Sequence, residues 1–181
     1  MDGVFIEALE AYPRIKANQL SLGLGVYPFD EYYDGLSVNL GYTYYFDNDL
    51  AWEVLHGSYF FAFQKSLTSQ LAELGRVQPK LIYRLQYILM SNAVYTPLLG
   101  KFVFSKKYIR YFRISLLGGV GVLSASEAHK YSSPKIAAGL GARFTTVIND
   151  SFSFGFEVRD AIAVMSFDNF VTFGLSSSYN F

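Results

Sequence analysis

The last twelve residues, 170–181, constrain the fold more than any other stretch. One parity reads Val171, Phe173, Leu175, Ser177, Tyr179, Phe181; the other reads Thr172, Gly174, Ser176, Ser178, Asn180. A period of two is that of a β-strand with two unlike faces. The first face is bulky and apolar, and the second is small and polar but carries no charge. A strand with its polar side in open water normally shows Lys, Glu or Arg there, and Gly is poor in it. Small polar residues suit the inside of a narrow closed barrel whose large apolar residues point outward into lipid. The pattern therefore predicts the closing strand of a small membrane barrel.

Five further segments repeat this alternation. Leu20, Leu22, Leu24 and Val26 oppose Ser21, Gly23 and Gly25; Leu36, Val38, Leu40, Tyr42, Tyr44 and Phe46 oppose Ser37, Asn39, Gly41 and Thr43. Near residues 108–123, Phe112, Ile114, Leu116, Val120 and Val122 alternate with Arg113, Ser115, Gly119 and Gly121. Ile136, Ala138, Leu140, Ala142 and Phe144 then alternate with Gly139, Gly141 and Arg143, and Phe152, Phe154, Phe156 and Val158 with Ser153, Gly155, Glu157 and Arg159. Around residues 50–63 the parity slips between Trp52 and Tyr59, which predicts a bulge near Gly57. A fourth strand is expected within residues 80–96, followed by a rather long connection over 97–107. Residues 64–79, with Leu67, Leu71 and Leu74 at helical spacing, are expected to form a short helix in an outer loop. Further outer loops are expected over 28–34, 124–134 and 160–169. The expectation is an all-β, closed, up-and-down barrel of eight antiparallel transmembrane strands over residues 19–181. An even count places both termini on the periplasmic side. Residues 1–18 form a periplasmic tail, read either as a peg for the barrel mouth or as a frayed end.

Composition narrows the class. Aromatics make up 18% of the chain, yet no run approaches the roughly 20 apolar residues of a membrane helix. That combination favours a barrel over a helical membrane protein. The formal charge is zero, so nothing suggests nucleic acid as a partner. Absence of cysteine excludes disulfides and thiol chemistry. Met1-Asp2-Gly3 shows no secretory signal, so the sequence is expected to start at or near a mature N-terminus.

Five charges fall on lumen parity: Glu53, Arg113, Arg143, Glu157 and Arg159. Buried charges persist when paired, so a carboxylate–guanidinium network across the interior is expected, as a plug rather than an ion path. His56 and Ser58 share a parity compatible with the lipid side. Their His-x-Ser spacing is similar to that of outer-membrane lipid A deacylases, but those continue with asparagine where this chain has Tyr59, and no matching arginine precedes His56. His129 reads as a loop histidine. The clusters Gly118-Gly119-x-Gly121 and Gly139-x-Gly141 do not open a helix in a βαβ unit, and Pro97-x-x-Gly100-Lys101 lacks the rest of a P-loop. Two distant histidines and no cysteine offer no metal site. No catalytic residue, metal or cofactor is expected.

Four segments carry a family resemblance: residues 95–101 (Tyr-Thr-Pro-Leu-Leu-Gly-Lys), 118–121 (Gly-Gly-Val-Gly), 139–143 (Gly-Leu-Gly-Ala-Arg) and 157–160 (Glu-Val-Arg-Asp). Through them the chain resembles the outer-membrane β-barrel domain proteins of myxobacterial and deltaproteobacterial type, over most of residues 19–181. The resemblance implies an eight-stranded barrel and, for some members, service in envelope-spanning assemblies such as gliding machinery. Tyr179 and Phe181 are similar to the C-terminal insertion signal read by the barrel-assembly machinery; the chain departs from that pattern at Ser176, where glycine is commoner. The expected partners are thus outer-membrane lipid, the assembly machinery during insertion and a protein of the envelope. The expected role is a non-enzymatic anchor or subunit. Alternatives are an adhesion barrel using loops 64–79 and 124–134, a lipid-hydrolysing enzyme, or a small channel.

Overall fold

A computed structural model describes residues 16–28, 33–64, 83–104, 108–127, 134–164 and 168–181. Of the expected helix over 64–79 only Gln64 is described, and it ends a strand; all but the last three residues of the tail, and His129, lie outside the described residues. Eight strands follow in order: β1 (Asn18–Tyr27), β2 (Tyr33–Tyr45), β3 (Leu50–Gln64), β4 (Tyr83–Phe104), β5 (Tyr108–Glu127), β6 (Lys135–Val147), β7 (Phe152–Ala163) and β8 (Asn169–Asn180). Each pairs antiparallel with its neighbour in sequence, and β1 pairs with β8, so the sheet closes. The seam runs from Gln19 opposite Asn180 to Val26 opposite Phe173. Its inward positions are small. A Cβ on Gly23 would stand 2.5 Å from the Leu175 carbonyl oxygen, so glycine is what lets these backbones meet.

Tight polar turns join the strands at the end that carries both termini. Asn149 Oδ1 accepts from the Ser151 and Phe152 amides at 3.0 and 2.7 Å, and Phe46 N donates to Leu50 O at 3.0 Å across the other turn. Asx side chains that bond their own backbone favour such reversals. The longer connections all lie at the opposite end, called here the loop end.

The burial pattern runs inside out relative to a water-soluble protein. Leu22, Leu24, Leu40, Val120 and Leu140 are exposed on the outer wall, Leu140 to 71%. Rings border this aliphatic zone. Tyr44 and Phe46, and Phe152 and Tyr179, pair at 5.2 Å near the terminal end; Tyr59 and Phe61 pair at 5.1 Å towards the loop end. Aromatic girdles flanking an apolar band mark barrels that cross lipid. Tyr179 and Phe181 stack at 6.1 Å on this outer face.

Several expectations need correction. The β3 bulge lies at Val54, not near Gly57: Tyr42 faces Leu55 while Thr43 faces Glu53. The extra residue turns Glu53, His56 and Ser58 to the same side, so His56 and Ser58 face the lumen rather than lipid, with His56 4% exposed. Residues 97–104 are not a loose connection. They continue β4, and Leu98 through Phe104 pair with Ile114 through Tyr108 past a bulge at Thr96–Pro97. A bulge can absorb a proline within a ladder. The resulting ribbon passes the last β3–β4 pair, Leu50 with Tyr95, by roughly 25 Å of strand. β7 likewise runs through Asp160 to Ala163, which shortens the last outer loop.

Close packing of β4 against β5 makes a local prediction. A Cβ on Gly121 would collide with the Leu89 carbonyl and stand 2.7 Å from Met90 Cα, whereas one on Gly118 would meet only Leu140 Cδ2 at 3.5 Å. Backbone cannot yield as a side-chain tip can. Gly121→Ala should therefore reduce the fraction that migrates as the compact, heat-modifiable form on a denaturing gel, and Gly118→Ala should not.

Candidate functional site: the filled lumen

The lumen is built in three layers. In the middle, β3, β6 and β7 bring together four of the five predicted charges. Arg159 grips Glu53 with both terminal nitrogens, Nη1 to Oε2 and Nη2 to Oε1, each at 2.9 Å. Arg143 donates Nη2 to Glu53 Oε1 at 2.5 Å and Nε to Glu157 Oε2 at 2.9 Å. Arg159 Nη2 also reaches Glu157 Oε2 at 3.1 Å. A two-pronged guanidinium–carboxylate pair is among the strongest polar contacts available to a protein. Asn92, on β4, completes the set by donating to Glu53 Oε2 at 2.7 Å. Glu53 is fully buried. Arg113 is not in this cluster; it lies one inward position closer to the terminal end, opposite Thr145.

Below the cluster, towards the termini, polar side chains share the lumen with a small apolar group, Ala51, Val94 and Leu117 packed against Tyr45, and among the described residues Arg113 is the one charge there. Gln19 Nε2 donates to Asn180 Oδ1 at 2.9 Å, and the Tyr45 hydroxyl donates to Gln19 Oε1 at 2.9 Å. Above the cluster the interior turns apolar. Phe60, Ile88, Met90, Leu123 and Phe170 pack together with Ala137, Ala161 and Ala163, and Tyr27 joins them, its ring 5.9 Å from Phe170. This apolar plug was not foreseen. Phe170 could have been placed by extending the inward parity of β8 by one step; Ile88 and Met90 sit in β4, whose two bulges hide the parity.

His56 stands at the top of the charged layer. Its Nε2 is 3.1 Å from Ser58 Oγ, and its Nδ1 is 3.6 Å from Glu53 Oε1. The residue types are those of a hydrolytic triad, but the geometry is not. Glu53 already accepts four hydrogen bonds from Asn92, Arg143 and Arg159, and the gap to Nδ1 is too long for one more. Ser58 is itself buried beside the apolar plug. His56→Ala should consequently leave the lipid A and phospholipid profile of the membrane unchanged. Among the described residues no group of His, Asp and Glu side chains could hold a metal ion.

Closed topology, strand number and outward-facing apolar residues together define the class: an eight-stranded antiparallel barrel of the transmembrane type. No family model matches the chain, and a search of curated proteins finds no match. Solved structures do match. The attachment invasion locus protein Ail of Yersinia pestis is 16% identical, with 94% of this chain and 100% of that chain covered at a TM-score of 0.47. The N-terminal β-barrel domain of Pseudomonas aeruginosa OprF is 12% identical, covering 93% and 100% at a TM-score of 0.47. Neisserial surface protein A is 12% identical, covering 90% and 92% at a TM-score of 0.43.

Proposed function

We propose that the protein is an integral barrel of the bacterial outer membrane, with both termini periplasmic, and that it serves without catalysis as an anchor or subunit of an envelope-spanning complex. The assignment to the myxobacterial type of barrel domain is part of this proposal. The observation that carries it is the combination of an apolar outer wall with a lumen filled by side chains. A wall of that kind needs lipid, and a filled lumen leaves the rims as the surfaces on which specificity can be built. The β4–β5 ribbon favours the subunit reading. It projects at the end of short turns, which in this barrel class faces the periplasm, and beyond Thr96 the β4 edge has left its β3 neighbour. Such an edge suits strand addition by another protein.

Purification in mild detergent tests the reading. A stoichiometric partner should co-purify, and Leu99→Pro with Lys101→Pro in the ribbon should release it while the barrel stays folded. A barrel that remains monomeric, with no partner in either form, argues against it. With charges and an apolar plug stacked across the lumen, planar-bilayer recordings should show no conductance.

A further inference from the structure

Among the described residues, three guanidinium groups are buried in the lumen against two carboxylates. Arg143 and Arg159 occupy both acids, which leaves Arg113 without one. Arg113 is 5% exposed, and its Nε and Nη1 have no hydrogen-bond partner. What it does have is the face of Tyr45, 5.3 Å from the guanidinium carbon to the ring centroid. Tyr45 is fixed in turn by its bond to Gln19. A buried cation with no counter-charge is strongly unfavourable, and in the layer above Arg143 and Arg159 each meet both carboxylates, with Arg159 Nε alone left without a partner.

The surroundings of Arg113 are those of a receptor for one small anion. Thr145 stands opposite it on β6, and Ser115, two residues along β5, shares a 2.8 Å hydroxyl contact with Thr96. No carboxylate reaches Arg113 among the described residues, and the terminal mouth lies on this side of the charged layer. We propose that Arg113 is the binding residue of an oxyanion site entered from the terminal mouth. It takes a single carboxylate or phosphate group on its free nitrogens, while Tyr45 holds the guanidinium plane in place.

The oxyanion could be a free anion or a carboxylate of the chain's own first fifteen residues, which include Asp2, Glu7 and Glu10. Lys16 is held at this mouth, its Nζ 3.1 Å from Ser151 Oγ and 3.3 Å from Asn180 O. Glu10 is six residues away, a span of about 20 Å when extended.

The test uses the full chain in detergent micelles with labelled arginine, following the Arg113 Nε–Hε resonance as inorganic phosphate replaces chloride. Arg113→Gln assigns the resonance; should it fail to fold, Arg113→Lys also removes it and keeps the charge. A saturable shift in the unaltered chain establishes a site for free anions. A shift that becomes about tenfold or more tighter in Asp2→Asn/Glu7→Gln/Glu10→Gln establishes the same site held by a tail carboxylate at high local concentration. No saturable shift in either protein overturns the proposal.

Discussion

Replacing Glu53 with glutamine should be among the most damaging single substitutions in the protein, costing about 3–5 kcal/mol. The carboxylate sits at the centre of the lumen and accepts from Asn92, Arg143 and Arg159. Glutamine keeps the size but removes the charge, and its amide NH₂ turns one accepting end into a donor. Two buried guanidinium groups then share Glu157 alone. Glu157→Gln should cost less, because Glu157 accepts only from Arg143 Nε and Arg159 Nη2. Coupling provides the check: Glu53→Gln with Arg159→Met should cost clearly less than the sum of the two single changes. Urea unfolding in phospholipid vesicles, followed by the fluorescence of the single tryptophan, Trp52, measures all of these. Equal small effects for the two glutamates, near the ±0.5 kcal/mol of an ordinary surface change, would mean that the cluster does not hold the barrel together.

A charge on the outer wall should be costly in proportion to its depth. Leu22, at the middle of β1, is 61% exposed and lies between Leu40 and Ser177 on the neighbouring strands, in the aliphatic zone between the rings. Leu22→Arg should cost about 2–4 kcal/mol in a bilayer, while Phe46→Arg at the terminal rim should cost about 0–1 kcal/mol. The same vesicle assay reads the difference. In a water-soluble protein both arginines would be nearly neutral, since each replaces an exposed apolar group with a solvated one. A flat profile would therefore place the wall in water.

Much of this architecture is legible in the chain, for a plain physical reason. Where one side of a strand meets lipid and the other a crowded polar lumen, parity alone orients every residue, as in β1, β2 and β5 to β8. Legibility fails where a bulge breaks the count or where both faces are apolar. Val54 shifts β3 by one residue, which turned His56 from an apparent wall residue into a lumen residue. The shifts at Gln86 and at Thr96–Pro97 erase the pattern in β4. There Ile88 and Met90 point inward while Leu89 points outward, and no difference in hydropathy marks the change of side. Parity also carries no height. It placed Arg113 inside the barrel together with Arg143, but only the register shows that Arg113 pairs with Thr145 while Ser115 pairs with Arg143. The position of Asn92 against Glu53 depends on the same bulges and was equally hidden.

Trp52 offers the most direct measurement of which way the wall faces. It is the only tryptophan, 46% exposed on the outer face, with its Nε1 donating to Ser91 Oγ at 2.9 Å. In vesicles of lipids brominated along the acyl chains its emission should be strongly quenched, while acrylamide in the aqueous phase should have little effect. Emission open to acrylamide and indifferent to the bromines, from a protein monodisperse in buffer without detergent, would contradict a lipid-facing wall.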